Sequence, residues 1–419
     1  MIDICVRLEL LTVAILILLV TSLYYWILHP MVLVIWRAIE VIRGKDIKRF
    51  LHKDSSGVLL SINNNKPIIL VIPTFGKRRF VIEKISHFEQ LFQDKRIADT
   101  IDKVYIVFSK PDPKVLNELS KILEGVSIRS KVTLLVEERR RGKAAAINLA
   151  IKSAETELSE KPRIVIVNDD DAYFSKDDIL SLLESFKDED VCAACIYPKY
   201  HSNVLNALYS YKRFIHRLEA RLCNPATIGG ELMAFRTIIE LDEHTLSEDL
   251  QTNIACTAKG YKVKLIQGNV TEKYPSTLRG IANRTERTIL GTYIEYKRFL
   301  KLRGKTSTRV CKYIFSAYLT SLLTMPIALM VIPIQMILLI FVISELILSL
   351  SIQLILAMLL TFIIILTIKK IRLKIIDISR LYFGLLYGSL RALVKVVNLN
   401  RYNTSSIEFI VSLWNETKV

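Results

Sequence analysis

Three consecutive aspartates follow an apolar run of the type that forms a buried β-strand. Asp169, Asp170 and Asp171 come just after the apolar residues 164–167. Ligands of α/β sheets bind beyond the carboxyl ends of the strands, so we expect these carboxylates at a ligand-binding edge. Carboxylate oxygens suit Mg²⁺ or Mn²⁺ that carries a substrate phosphate. The alternative is a solvated acidic turn followed by a helix cap.

A basic loop upstream of the aspartates has the composition of a phosphate-binding site. Residues 139–141 are arginines, and Gly142 and Lys143 then open a segment of high helix propensity. A helix N-terminus with added cations binds phosphate well. A solvated basic turn is the alternative. Because the loop follows one strand and precedes the strand that leads to the aspartates, both loops can open on the same rim.

Two further motifs lie downstream of the aspartates. Gly229 and Gly230 allow close approach of the backbone to a ligand, although a plain turn explains paired glycines about as well. Ser247, Glu248 and Asp249 precede a helical pattern. They are either a cap with first-turn charges or a helix start that holds a carboxylate for general-base catalysis.

Arginines precede the second long apolar block of the chain. The spacing of Arg284 and Arg287 puts both side chains on one face of a helix. This face either touches lipid headgroups or binds a diphosphate.

Apolar strand-like runs alternate with helical patterns in the segment that holds these motifs. The strands are expected at 68–72, 104–108, 132–136 and 164–167, and the helices near 79–93, 113–124 and 143–157. This order predicts an α/β fold with a parallel sheet and right-handed crossovers. The sequence contains neither a Walker loop nor a G-x-G-x-x-G motif, so it does not signal those nucleotide folds.

The composition indicates a membrane protein. The chain has 419 residues, of which 51% are hydrophobic, and a formal net charge of +17. Such a basic excess fits either nucleic acid or the anionic inner face of a membrane. The long apolar segments favour membrane lipids as partners, and no nucleic-acid partner is expected. The six cysteines are interpreted as reduced thiols of a cytoplasmic domain, because Cys192 and Cys195 lack a second pair of zinc ligands.

Hydropathy and charge divide the chain into five segments. We expect an N-terminal transmembrane helix in 1–40, a basic cytoplasmic linker in 41–65 and a cytoplasmic domain in 66–300. Two transmembrane helices follow in 313–368, and an interfacial amphipathic helix with a C-terminal tail in 375–419. The basic residues that flank the apolar blocks put the 66–300 domain on the cytoplasmic side of the cell membrane. A fourth span over 375–397 is the alternative.

The motifs, in this order, resemble those of the inverting family-two glycosyltransferases, in particular the membrane-integrated synthases related to hyaluronan, chitin and cellulose synthases. The resemblance covers most of residues 66–300. The residues that match are Pro73, Thr74 and Phe75 after the first strand, Arg141, Lys143 and Asn148 at the helix start, Asp169 and Asp171 with Asp170 as spacer, Gly229 and Gly230 with Arg236 in an acceptor loop, Glu248 and Asp249, and Arg284 and Arg287.

The resemblance implies a nucleotide-sugar-binding, Rossmann-like domain of the GT-A type, flanked by transmembrane helices. It assigns Mg²⁺ or Mn²⁺ to Asp171 and Asp169, and general-base catalysis to Asp249 with Glu248. The residues to which it assigns substrate binding are Pro73, Thr74, Phe75, Arg141, Lys143, Asn148, Asp169, Gly229, Gly230, Arg284 and Arg287. The donor would be a nucleotide-diphosphate sugar, with a UDP-sugar first, and the acceptor a saccharide or a lipid-linked molecule.

Inverting transfer in polysaccharide synthesis is the first functional hypothesis. Transfer of a single sugar to a polyprenyl-phosphate or glycolipid is the second. An inactive sugar-binding membrane scaffold is a third, although the intact acidic pairs argue against it.

Overall fold

The computed structural model describes residues 28–37, 66–74, 78–109, 113–139, 141–200, 203–272, 277–301, 309–341 and 375–402. Phe75, the linker 41–65 and most of the expected N-terminal span lie outside these residues, as do residues 342–368 of the second apolar block and the tail 403–419. No helix in the described ranges is both long enough and apolar enough to cross a membrane.

The centre of the protein is a seven-stranded sheet in the order β3-β2-β1-β4-β8-β6-β9. A three-stranded sheet, β5-β10-β7, lies beside it. The strands are β1 (Ile68–Thr74), β2 (Lys103–Ser109), β3 (Val132–Glu137), β4 (Ile164–Asn168), β5 (Ala172–Tyr173), β6 (Val191–Ile196), β7 (Lys199–Tyr200), β8 (Leu232–Arg236), β9 (Lys262–Ile266) and β10 (Thr271–Glu272).

Helices cover both faces of the large sheet and extend beyond it. They are α1 (28–37), α2 (Arg78–Leu91), α3 (Lys95–Thr100), α4 (Pro113–Glu124), α5 (Lys143–Glu157), α6 (Lys176–Glu184), α7 (Asn203–Ala220), α8 (Glu248–Ala258), α9 (Leu278–Lys301), α10 (Arg309–Phe341) and α11 (Ile375–Tyr402). Two short 3₁₀ turns occupy Arg129–Lys131 and Ser185–Lys187.

The apolar strands form because both faces of the sheet are covered, as is usual for parallel strands. In β1, Leu70 and Ile72 face a core that includes residues of α2, α4 and α6. Ile69 and Val71 face a second core with the alanine-rich side of α5. The four expected strands and three expected helices are confirmed, and β1 to β4 pair in parallel.

One strand runs against the others and makes the sheet mixed. β8 pairs antiparallel with both β4 and β6, so that Asn168 at the end of β4 lies opposite Leu232 at the start of β8. The loop that enters β8 therefore meets the carboxyl ends of β1 and β4 at one edge. The expectation of a parallel sheet is therefore wrong for β8, because an apolar run in the sequence carries no information on strand direction.

Buried polar contacts join α1 to α7 and α10. His29 Nε2 lies 2.9 Å from Glu219 Oε1 of α7, and His29 Nδ1 lies 3.1 Å from the Tyr313 hydroxyl of α10. The second oxygen of Glu219 accepts a hydrogen bond from the Ala226 backbone N–H at 2.7 Å. This network anchors the chain just before the Gly229–Gly230 loop.

The cysteines differ from their sequence-based interpretation. Cys223 and Cys311 form a disulfide that joins the end of α7 to α10, with Cα atoms 5.6 Å apart. The expectation that all six thiols are reduced is therefore wrong for this pair, since packing of α10 brings together residues 88 positions apart in sequence. Cys192, Cys195 and Cys256 are free and buried.

Helices α9 and α11 pack at unusually close range. A Cβ atom at Gly388 would lie 2.8 Å from Thr285 Cβ and 2.9 Å from the Ala282 carbonyl carbon. A Cβ atom at Gly384 would lie 2.6 Å from Ile281 Cβ. Only glycine permits this approach, so one face of α11 lies directly on α9.

Gly388→Ala is expected to destabilise the protein by about 1–3 kcal/mol, because the new methyl group forces the two helices apart. Helix propensity alone predicts the opposite sign, since alanine favours a helix over glycine by about 1 kcal/mol. Thermal unfolding measures the effect, with Gly125→Ala as control because its nearest neighbouring atom is 3.6 Å from the added Cβ. A melting temperature at or above that of the wild type would contradict the close packing.

Candidate active site

The aspartate triplet lies where β4 ends. The Asp169 N–H donates to the Glu231 carbonyl at 3.1 Å, which fixes the triplet to the loop that enters β8. Asp170 is buried and accepts a hydrogen bond from the Thr74 hydroxyl at 2.7 Å. It is thus more than a spacer, since it joins the ends of β1 and β4. Asp169 is 31% exposed, and Asp171 is partly exposed as well.

Lys84 of α2 is fully buried beside the triplet, and none of the sequence motifs predicted it there. Its ammonium donates to Asn168 Oδ1 at 2.5 Å and to the Ala172 carbonyl. Burial lowers the pKa of Lys84 to about 8, although the nearby aspartates oppose this shift. A signal was present, because Lys84 falls on the apolar stripe of its helix between Val81 and Phe88.

Lys143 joins the two acidic motifs. Its ammonium lies 2.7 Å from Asp169 Oδ1 and 2.5 Å from Glu248 Oε1, and it donates to the Gly230 carbonyl at 3.2 Å. Burial by itself lowers the pKa of Lys143, but the two carboxylates outweigh burial and raise it above its ordinary value. Lys143 therefore remains charged and pairs with both carboxylates at once.

Asp249 is held at the start of α8. Its Oδ1 accepts hydrogen bonds from the Ser247 hydroxyl at 2.6 Å and from the Leu250 N–H at 2.7 Å. Ser247 thus bonds the aspartate rather than capping α8 with its side chain. Oδ2 lies beside Gly230, where an added Cβ would be 3.4 Å away. Gly230 thus packs directly against the two carboxylates of the helix start.

The basic loop contributes Lys143 to the site and uses two other residues to support it. The Arg141 guanidinium donates to Glu243 Oε2 at 3.2 Å, and the Asn148 amide donates to the Leu241 carbonyl at 2.8 Å. Both partners lie in the loop that leads to α8. Gly142 has φ +116°, which favours glycine. The substrate-binding roles expected for Arg141 and Asn148 stay predictions.

Arg284 lies in a buried acidic environment. Its guanidinium makes a bidentate contact with Glu272, at 2.7 and 3.2 Å, and reaches Glu231 Oε1 at 3.3 Å. Burial raises the pKa of Glu231 to about 8, and Glu272 adds to this shift while Arg284 opposes it. The expected contact of Arg284 with a diphosphate is untested, whereas its contacts with these two carboxylates are direct.

The other residues that the sequence placed in the site lie in three parts of the fold. Pro73 and Thr74 end β1, and Arg287 lies one turn beyond Arg284 on α9 and is partly exposed. Arg236 lies at the other end of β8 and donates to the Val191 carbonyl at 2.7 Å. The antiparallel direction of β8 carries Arg236 to the opposite edge of the sheet from Gly229 and Gly230.

The site offers few protein ligands for a metal. In the described parts of the chain, no group of three or more His, Cys, Asp or Glu side chains is arranged to hold a metal ion. Asp169 and Asp171 supply two carboxylates. Mg²⁺ is commonly held by one or two carboxylates together with waters and substrate phosphates, so this donor set fits such an ion.

Two family models match the chain. Residues 70–239 match Glycosyl transferase family 2, and residues 164–367 match Glycosyl transferase family group 2. Among curated proteins, none matches the sequence significantly.

Several solved structures are similar to this protein. The mannosyltransferase PcManGT from Pyrobaculum calidifontis, in complex with GDP-Man and Mn²⁺, is 17% identical with a TM-score of 0.58, over 93% of this chain and 99% of that one. TarS 1-349 of S. aureus is 14% identical, with a TM-score of 0.40 over 60% and 70% of the two chains. Glucosyl-3-phosphoglycerate synthase from Mycobacterium tuberculosis, with Mn²⁺, UDP and phosphoglyceric acid, is 13% identical, with a TM-score of 0.33 over 50% and 71%. Only the first supports a conclusion about the fold.

The chain therefore carries a family-two glycosyltransferase domain. Its fold is α/β and GT-A-like, with a mixed sheet.

Proposed function

We propose that the protein transfers a sugar from a nucleotide-diphosphate sugar to an acceptor hydroxyl, with inversion at the anomeric carbon. The observation that carries this proposal is the buried cation Lys143, which contacts Asp169 on one side and Glu248 on the other. Lys143 thereby connects Asp169, a proposed metal ligand, with the start of α8, which holds Asp249. The donor and the catalytic base would then share one compact site.

Asp249 is the proposed general base. As the acceptor oxygen attacks the anomeric carbon, Asp249 takes its proton, and the bond to the diphosphate breaks with the electron pair leaving on the nucleotide. The contacts that Ser247 and Leu250 make to Oδ1 support this role, because they orient the carboxylate with Oδ2 beside Gly230. A single base supports one displacement and hence inversion.

Mg²⁺ or Mn²⁺ is the proposed cofactor, held by Asp171 and Asp169. When bound, such an ion neutralises negative charge on the leaving diphosphate. Lys143 and Arg287 would add positive charge on the protein side. The Mn²⁺ and GDP-Man in the PcManGT structure support this assignment.

An excess of EDTA is expected to reduce sugar transfer to background, and added Mg²⁺ or Mn²⁺ to restore it, because without the ion the carboxylates of Asp169 and Asp171 repel the negative diphosphate. Incorporation of labelled sugar measures the effect. Asp171→Asn should resist restoration by metal, whereas Asp177→Asn, an exposed carboxylate on α6, should behave like the wild type. Undiminished transfer in EDTA would contradict the metal assignment.

The proposed acceptor is a growing saccharide or a lipid-linked molecule, and the proposed process is polysaccharide synthesis at the cell membrane. Transfer of one sugar to a polyprenyl-phosphate or glycolipid is the second candidate. A UDP-sugar is the first donor to test, by family resemblance, and GDP-mannose the second, by the PcManGT complex.

Exposed apolar side chains support a membrane location. Met31 and Ile35 on α1 are more than half exposed, as are Phe383 and Val394 on α11. Apolar surface of this kind marks contact with lipid or protein. Together with the apolar segments of the sequence, it supports a multi-pass membrane protein. The proposal that the catalytic domain faces the cytoplasm rests on the basic residues that flank those segments.

Protease protection in sealed vesicles tests the orientation of the domain. This test is needed because disulfides such as Cys223–Cys311 are rare in the cytosol of mesophiles. The domain should be digested only in vesicles that expose the cytoplasmic face. Digestion only in vesicles of the opposite orientation would contradict the cytoplasmic assignment.

One experiment tests the proposed function and separates its variants. The purified full-length protein in lipid is offered labelled UDP-glucose, UDP-galactose, UDP-N-acetylglucosamine and GDP-mannose, and the product is sized. A ladder or long polymer supports polysaccharide synthesis, and a single lipid-extractable species supports transfer of one sugar. Binding without incorporation of any donor would favour the inactive scaffold.

A further inference from the structure

Glu231 is a buried carboxylate beside the site, and no catalytic role proposed above uses it. The residue is only 8% exposed. One oxygen, Oε1, faces Arg284 at 3.3 Å. The other, Oε2, is buried and has no hydrogen-bond partner among the described residues. A buried carboxylate oxygen without a partner is unfavourable, so it calls for a ligand or a functional explanation.

The Arg284 side chain fixes the position of this carboxylate. Arg284 is itself held by the bidentate contact with Glu272, and its Nη2 lies 3.5 Å from the Tyr200 hydroxyl. The guanidinium therefore cannot turn to serve both oxygens of Glu231 without giving up Glu272. Glu231 is anchored at Oε1 and leaves Oε2 available as an acceptor.

The backbone puts Glu231 between the two acidic motifs. Its carbonyl accepts hydrogen bonds from the Asp169 N–H at 3.1 Å and from the Asn168 amide at 2.9 Å. The preceding residue, Gly230, lies against Asp249. Glu231 thus lies on the segment that connects Asp169, a proposed metal ligand, with the proposed base Asp249.

Gly229 keeps the space beside the unpartnered oxygen free of a side chain. A Cβ atom at Gly229 would lie 2.8 Å from Glu231 Oε2. Any larger residue at this position would push against Oε2, so glycine is needed for the carboxylate to keep this place.

We propose that Glu231 Oε2 accepts a hydrogen bond from a hydroxyl group of the donor sugar and so helps to determine which sugar is used. This inference rests on the proposed function. In an inverting displacement the transferred sugar lies between the leaving diphosphate and the incoming hydroxyl, which is the interval that Glu231 borders. A site that hydrogen-bonds a substrate hydroxyl discriminates strongly against an analogue that lacks it.

Glu231→Gln is the direct test, because the amide keeps the size of the side chain. Its oxygen can still accept from Arg284, while its NH₂ group replaces the acceptor that faces the sugar. Calorimetric titration of the full-length protein in nanodiscs at pH 9, where Glu231 is ionised because this pH lies above its pKa of about 8, gives affinities for UDP-glucose, UDP-galactose, UDP-N-acetylglucosamine, GDP-mannose and the free nucleoside diphosphates. For the donor that the wild type binds, we expect affinity to fall by about 10- to 100-fold. Affinity for the free diphosphate should be unchanged.

Deoxyfluoro analogues of that donor locate the contact. The wild type should bind the donor more weakly when one particular hydroxyl is replaced by fluorine. The Glu231→Gln variant should bind that analogue about as well as it binds the unmodified donor. The other positions should affect both proteins equally. This non-additivity is the mark of a direct contact.

Glu272→Gln is the matched control. It disturbs the other carboxylate partner of Arg284 and is expected to leave the pattern of the analogues unchanged. Thermal unfolding of each variant establishes that it is folded. If Glu231→Gln does not fold, Glu231→Asp takes its place, since it keeps the charge but withdraws the oxygen from the sugar.

Three results would overturn the inference. One is equal loss of affinity for the donor and for the free diphosphate. Another is a deoxyfluoro pattern that is the same in the wild type and in the Glu231 variant. A third is a Glu272→Gln variant with the same altered pattern. Failure of the wild type to bind any of the four donors would instead contradict the proposed function, and the inference with it.

Discussion

Asp249→Asn is expected to lower kcat by about 10²- to 10⁴-fold while the affinity for the nucleotide sugar stays the same. The amide has the shape of the carboxylate and can still accept hydrogen bonds from Ser247 and Leu250, so the geometry of the helix start is kept. It cannot take up the proton of the acceptor hydroxyl. The change therefore removes the chemistry of the base and little else.

Initial rates of sugar incorporation and calorimetric titration with the donor separate these two effects. Asp177→Asn is a well-matched control, because Asp177 is the second residue of α6 as Asp249 is the second residue of α8. The control should keep wild-type kcat. Wild-type turnover by Asp249→Asn would rule out Asp249 as the base, and loss of donor binding would assign it to binding instead.

Lys143→Met is expected both to abolish transfer and to destabilise the protein by about 3–5 kcal/mol. Methionine keeps much of the length of the side chain but leaves Asp169 and Glu248 without the cation that lies within 2.7 Å of each. The buried Glu248 carboxylate then has to take up a proton or pull water into the site. Either change disturbs the adjacent Asp249.

Chemical denaturation and incorporation assays measure the two losses. Lys152→Met, an exposed lysine on the same helix, should change neither quantity by more than the scatter of surface substitutions. The double variant Lys143→Met/Glu248→Gln should recover part of the stability, since the unpaired buried charge is gone, but not the activity. A Lys143→Met variant as stable as the wild type would contradict the proposed bridge.

Much of the fold could be predicted from local sequence. Strands β1 to β4 could be predicted from their apolar runs, and α5 from the helical pattern that begins at Lys143. Each of these patterns involves only residues that are neighbours in sequence. The aspartates after β4 could likewise be assigned to the ligand-binding edge. These features depend on the spacing of apolar residues and on where an apolar run ends, and both can be recognised within one short stretch of sequence.

The rest depends on contacts between distant segments. The antiparallel direction of β8, the Cys223–Cys311 disulfide and the salt bridges of Arg284 are set by packing and leave no local pattern. Glu231 was overlooked for the same reason, since only the folded chain shows that one of its oxygens is buried without a partner. Lys84 is the exception, because a lysine on an apolar stripe could have been noticed from the sequence.

Helix α9 has a consequence for how the site responds to its surroundings. Its 24 residues span about 36 Å. Near its beginning it carries Arg284, and further along Gly291 lies against Ser247, where an added Cβ would be 3.0 Å from Ser247 Cβ. Between them, the buried Glu286 is paired with Arg391 and Lys395 of α11 at 2.9 and 2.7 Å. Because these contacts lie on one rigid helix, a tilt of α11 would move Arg284, which holds Glu231, and Gly291, which packs against Ser247 beside Asp249, at the same time.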